Sequence, residues 1–295
     1  DYSTIGREIV STLQKNLTSS NIDENKLFGI CLGVPGLIDM ENNRVTTSTV
    51  VPIDDSNDFY YYIKNRYSDI PILLGNESWF SAYAEKEFGS DVNIQNLVFI
   101  DINIGVGAGI ILNGQIFTGS RGLAGEIGHI SIDMNGPRCK CGNRGCIETM
   151  VSIPAMLHSL MSGIMSGENT IAKEIIEKNN NKVTIETMRE ASLKNDRFVL
   201  GIIDDSAKRL AFGITNIINL LNPEVVVVGG EITKLGNIFL EKTKKYIEDI
   251  QLKPNKGKME IKYSTLKGNT VTLGGAKYVL NNIFEPGVLL DGICF

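Results

Sequence analysis

The sequence lacks the features that would place it in a membrane or on a nucleic acid. No apolar run reaches the roughly 20 residues that a spanning helix needs. No Lys/Arg tract offsets the 34 acidic residues, and 29 basic ones leave a formal net charge of −5. An acidic chain of this kind is not expected to hold nucleic acid by itself. The N-terminus, Asp-Tyr-Ser-Thr-Ile-Gly-Arg-Glu, has no apolar signal-peptide core, so a cytoplasmic location is expected. Repeats at solenoid periods and low-complexity tracts are missing too. Histidine is scarce, with two residues, and cysteine is odd in number, with five. Three of the cysteines crowd together at 139, 141 and 146, which argues for metal thiolates in a reducing compartment rather than disulfides. What remains is ordinary globular composition, 42% hydrophobic and 21% charged over 295 residues, enough for one large domain or two lobes.

Strands and helices alternate along the chain. Ile5, Ile9, Leu13 and Leu17 recur every fourth residue and predict an amphipathic helix. Leu27 to Val34 reads as a buried strand ended by Pro35-Gly36, and Cys31 within it as a small core residue. A helix over Tyr60 to Tyr67 and a short strand over Ile72 to Gly75 follow. Asn76 is a good N-cap for a helix from Glu77 to Phe88, which Gly89 should stop. Leu97 to Ile104 is a strand. Gly105-Val-Gly107-Ala-Gly109 turns into Ile110-Ile111-Leu112, and Asn113-Gly114 is a hairpin turn. Helices are expected over 153–161, 171–178, 185–191 and 198–221, the last long and apolar on most faces. Val225 to Val228 reads as a buried parallel-type strand closed by Gly229-Gly230. A helix near 239–250, a strand near 259–263 and a helix over 275–283 complete an α/β pattern.

One stretch carries the chemistry. His129, Cys139, Cys141 and Cys146 offer one nitrogen and three sulfurs, a donor set that suits tetrahedral zinc. Four protein ligands would close the shell and make the metal structural. The plain alternative is three reduced cysteines in a surface loop. Glu126 and Glu148 bracket the cluster, so a metal would fix two acidic side chains beside a polar ligand. The second ring nitrogen of His129 could donate to that ligand or only to the backbone. Asn76-Glu77 stands at a strand-to-helix junction, where open α/β sheets commonly bind ligands, but taken alone the pair is better explained as an N-cap followed by a first-turn acid. The glycines at 105–109, 229–230 and 274–275 could make room for a nucleotide, but each also suits a routine hairpin, strand end or helix start.

Together these residues resemble the ROK family of sugar kinases, open-reading-frame products of unassigned role and sugar-responsive repressors. The thiol cluster matches the family's zinc motif in order and spacing. Gly125-Glu126-Ile127-Gly128-His129 matches its Glu-x-Gly-His sugar motif, and Gly33-Val34-Pro35-Gly36 its strand-end turn. Asn76-Glu77 takes the place of its Asn-Asp pair, and Asn222-Pro223-Glu224 with Gly229-Gly230 resembles its later nucleotide-side segment. The resemblance implies an α/β, actin-like (ribonuclease H-like) fold of two lobes with a ligand cleft between them. The first lobe would span 1–95, with the last helix, 272–295, returning to it. The second would span 96–271 and carry the zinc segment 125–148. It further implies a monosaccharide held by Asn76, Glu77, Glu126, His129 and Glu148, with His129 serving both zinc and sugar.

The departures lie on the phosphate side. Kinases of the family have an N-terminal strand with an Asp-x-Gly-Gly-Thr loop for ATP, whereas this sequence opens on the helix expected after it. Their catalytic base is the Asp of Asn-Asp, and here Glu77 is one methylene longer. A carboxylate displaced by about 1 Å can cost on the order of a hundredfold in rate. Asn103-Ile104-Gly105 replaces a Gly-Thr-Gly phosphate loop, so an apolar side chain stands for a hydroxyl. With the sugar side retained and the phosphate side eroded, the expected function is that of a sugar sensor. Asn-Glu resembles the xylose-repressor branch, and the sequence would be the effector-binding part of a homodimeric repressor that touches DNA through a domain outside it. The competing reading is an ATP- and Mg-dependent sugar kinase with Glu77 as base.

Overall fold

The computed structural model describes residues 2–39, 42, 44–48, 58–90, 93–253, 259–266 and 268–284. Cys294 and the part of the expected last helix beyond 284 lie outside the described residues. The chain divides into two units, the first comprising Asp1–Val92, Ile116–Ala124 and Leu266–Phe295 and the second Asn93–Gln115 and Gly125–Thr265. The short excursion over 116–124 has no counterpart in the sequence pattern.

The first unit runs α1 (Tyr2–Ser19), β1 (Ile30–Val34), β2 (Leu37–Asp39), β3 (Arg44–Thr47), α2 (Asp58–Arg66), β4 (Ile72–Asn76) and α3 (Glu77–Phe88). The apolar stripe of α1 behaves as its spacing predicts: Ile5, Ile9 and Leu13 pack on a core that includes Ile30, Ile63, Ile72 and Leu74. β1 and β4 pair in parallel, Ile30 opposite Ile72 and Val34 opposite Asn76. β4 therefore delivers Asn76 and Glu77 to its C-terminal end. Asn76 caps α3, its side chain accepting from the Ser78 N–H at 2.8 Å, and Gly89 closes that helix through the Glu85 carbonyl.

The second unit contains β5 (Leu97–Ile102), β6 (Val106–Leu112), β7 (Gln115–Ile116), α4 (Glu148–Val151), α5 (Ile153–Met165), α6 (Ala172–Lys178), α7 (Ile185–Leu193), α8 (Arg197–Leu221), β8 (Val225–Gly229), α9 (Asn237–Ile250) and β9 (Glu260–Tyr263). Its strands form one mixed sheet in the order β7-β6-β5-β8-β9. β8 is parallel to both neighbours, β5 and β9, and all five of its residues are buried. This explains its unbroken valine run, since a strand covered on both faces has no polar alternation to show. α8 is buried along Ile203, Leu210, Ile214 and Ile218, which join Val98, Ile100, Val226 and Val228 in the core. Asp196 caps α8, accepting the Val199 N–H at 2.9 Å, and its other oxygen accepts the Ile171 N–H at 2.7 Å.

Two glycine readings are corrected. Gly107 and Gly109 do not form a loop. They lie inside β6, opposite Asp101 and Phe99 of β5, and only Asn103 to Gly105 turn. Gly274-Gly275 does not precede a helix but lies within α10 (Thr270–Phe284), which starts five residues earlier than the pattern suggests. α10 packs on α3 so closely that a Cβ on Gly274 would fall 1.8 Å from the Phe80 carbonyl oxygen. Helix-to-helix approach therefore accounts for these glycines. Among the described residues no helix is long and apolar enough to cross a membrane.

Candidate functional site

The thiol-rich segment hangs from β6. The Ala108 N–H donates to the Gly125 carbonyl at 2.9 Å, so Glu126 leaves the strand directly into a 3-10 turn, Ile127–His129, whose Ile127 is buried. Ile147 N–H reaches the Ile130 carbonyl at 3.0 Å and Ile132 N–H the Gly145 carbonyl at 2.9 Å. These bonds close the loop between Ile130 and Ile147 at its base. Within it the Cys139 N–H donates to the Asn143 carbonyl at 2.8 Å. Gly145 has φ +62°, and a Cβ there would meet the Asp133 carbonyl oxygen at 1.7 Å, so only glycine fits.

This folding brings the four predicted ligands together. The ligand atoms of His129, Cys139, Cys141 and Cys146 all lie within 4.8 Å of one another. Cys139 Sγ is 3.6 Å from His129 Nδ1, and Cys141 Sγ is 3.7 Å from Cys146 Sγ. A disulfide would need about 2.05 Å. A zinc tetrahedron with Zn–S near 2.3 Å and Zn–N near 2.05 Å has edges of about 3.6–3.8 Å, and these two pairs already stand at that spacing. Burial and the neighbouring thiols push the Cys146 thiol up to about 12. A divalent cation reverses that penalty, because it holds its thiol ligands as thiolates. The residues present therefore fit zinc.

The acids of the motif share the same unit. His129 Nε2, the nitrogen turned away from Cys139, lies 3.9 Å from Glu126 Oε2. Burial raises the Glu126 carboxyl above its usual range, His129 opposes the shift, and the charge of Glu148 adds to it. Glu148 opens α4, and its Oε2 accepts the Val106 N–H at 3.1 Å. The first unit holds Asn76 and Glu77. There the Asn76 amide donates to the Gly36 carbonyl at 2.8 Å while its oxygen caps α3. This bond ties the strand-end turn to the helix start, and Glu77 is half-buried.

One residue of the second unit escaped the sequence reading. Asp101, next to last in β5, accepts from the Asn103 amide at 2.8 Å. Burial pushes its carboxyl from 3.8 up to about 6, with the Asn103 bond opposing. The folded state thus binds a proton more tightly than the unfolded chain. The stability this contributes is complete below about pH 4 and lost as pH rises through about 6. Asp101→Asn keeps the accepting oxygen and is expected to stabilise the protein at pH 7.5 by about 2 kcal/mol, with the gain fading toward pH 4. Urea unfolding at the two pH values checks this, and an equal gain at both would refute it. The only hint in the sequence was an acid inside the apolar run Leu97 to Ile102.

An actin-like α/β fold carrying a sugar-motif acid and histidine beside a zinc-type donor set defines the sugar kinase and repressor class. The ROK family profile matches residues 2–282, and the chain belongs to the ROK family. It is 28% identical over 285 residues to the xylose repressor of Caldicellulosiruptor bescii, covering 97% of this chain and 70% of that protein. It is 30% identical over 289 residues to the glucokinase of Halalkalibacterium halodurans, covering 96% and 86%. Among solved structures it superposes on a ROK family transcriptional regulator homologous to the Escherichia coli MLC protein with a TM-score of 0.83. That match has 27% identity and covers 97% of this chain and 70% of the other. Within the family the chain falls in the xylose-repressor-like branch.

Proposed function

We propose that this chain is the monosaccharide-binding effector domain of a ROK transcriptional repressor in the cytoplasm. The carrying observation is the placement of Glu126, His129 and Glu148 on one loop base beside the zinc-type donor set. Carboxylate acceptors with an imidazole donor suit the hydroxyls of a sugar. Zinc bound by His129, Cys139, Cys141 and Cys146 would act as a brace that fixes the His129 ring and the turn carrying Glu126. The sensing mechanism would be population shift: the sugar stabilises one conformation of a homodimer, and DNA-binding domains outside this sequence respond. The greater length of the C. bescii repressor supports that arrangement.

Isothermal titration with a panel of pentoses and hexoses, xylose and glucose included, tests the reading. Saturable binding of a monosaccharide without ATP is expected. Absence of heat with every sugar would defeat the proposal.

A further inference from the structure

A phosphate cradle needs free backbone N–H groups and a positive local field. The turn after β5 and the end of β8 were the places where glycines could have supplied one. In the structure three of the backbone donors there, those of Asn103, Val106 and Glu231, are taken by the chain's own groups. The Asn103 amide oxygen accepts the Glu231 N–H, the first beyond Gly230, at 2.7 Å. Its amide nitrogen donates to Asp101, whose bond was given above, and its backbone N–H is taken by the Gly105 carbonyl at 2.9 Å. Where the turn re-enters β6, the Val106 N–H is the one held by Glu148.

The three atoms nearest the open side of Gly230 are all acceptors. Gly230 has φ +87°, and the ideal position of a Cβ there lies 2.5 Å from Asp101 Oδ1, 2.6 Å from the Ile102 carbonyl oxygen and 2.7 Å from Asn103 Oδ1. Glycine is needed here because three oxygens of the chain converge on it. A phosphate in their place would meet lone pairs and a carboxylate. Lys234, the cation on the turn after Gly230, pairs with Glu231 at 2.7 Å and Glu186 at 3.3 Å. At the tip of the turn Ile104 exposes a bare apolar side chain, 68% accessible, that can bond no oxygen.

We infer that Asn103, strapped between Asp101 and the Glu231 backbone, is the residue that shuts nucleotide phosphates out of the β5–β8 strand ends. ATP and Mg do not fit the groups present, and no phosphoryl transfer is routed through this site. Asparagine does here what a bound phosphate would do, by accepting the Glu231 N–H and bridging the two strand ends. Its removal frees that donor and deletes one of the three converging oxygens. The inference stands apart from sugar binding, and the two are measured separately.

The test is titration of the 295-residue chain with the Mg complex of AMPPNP and with pyrophosphate, in the parent and in Asn103→Gly and Asn103→Ser. A cooperative thermal melt is required of each variant scored. The parent should give no saturable heat with either ligand at millimolar concentration. Asn103→Gly should gain binding at least about tenfold tighter than the parent's limit, and Asn103→Ser, which keeps an acceptor, a smaller gain. Nucleotide binding by the parent overturns the inference. So do folded variants as indifferent to both ligands as the parent. A parent that binds sugar and nucleotide defeats only this inference, and one that binds neither defeats only the sugar reading.

Discussion

Replacing Cys141 by serine is expected to strip the metal from the protein and to lower its stability by about 3 kcal/mol or more. Cys141 is the instructive ligand because it is exposed, whereas Cys139 and Cys146 are buried. Serine in its place costs no packing, so the effect reports coordination alone. Three remaining donors would leave Cys146 buried beside another thiol, where burial already disfavours its charged form. The bonds that close the loop, Ile147 to Ile130 and Ile132 to Gly145, would then hold a segment whose interior has lost its centre. Metal analysis of the purified variant should find less than a tenth of an equivalent, and urea unfolding should shift accordingly. Cys31→Ser serves as the control, because that thiol sits in β1, in the first unit, and should leave metal content unchanged. Full zinc occupancy in Cys141→Ser would refute the ligand assignment.

Glu126→Gln is expected to weaken sugar binding by roughly 10- to 150-fold, the cost of about 1.5–3 kcal/mol for a lost hydrogen bond to a charged group. The fold should scarcely notice. Glu126 is the N-cap of the 3-10 turn by position, but its side chain makes no capping bond there. Relief of the repulsion from Glu148 even favours the substitution slightly. Calorimetric titration should therefore show a raised Kd with an unchanged melting temperature. A variant that binds as tightly as the parent would remove Glu126 from the site, and one that binds weakly only because it melts early would assign the residue a structural role.

Legibility in the sequence followed locality. The four candidate metal donors lie within eighteen positions, from His129 to Cys146, and short turns bring them together, so their convergence was legible from spacing. β8 was legible because a strand buried on both faces is apolar without interruption. Gly107 and Gly109 were misread since glycine shows no periodicity, and only pairing with Asp101 and Phe99 reveals the strand. The start of α10 was misplaced because Thr270-Val271-Thr272 disfavours helix locally, while packing on α3 favours it. The Asn103 strap was invisible for a different reason. It joins Asp101, Asn103 and Glu231, and the last is brought to the others only by the parallel pairing of β5 with β8.

The orientation of the His129 ring would fix its tautomer once a metal is bound. Nδ1 faces Cys139, and Nε2 faces Glu126. A metal on Nδ1 leaves the proton nowhere to reside but Nε2. The imidazole then becomes an obligate donor, while an ionised Glu126 beside it only accepts. The pair has a fixed polarity, and a hydroxyl is the small group that answers it, taking a proton from one partner and giving its own to the other.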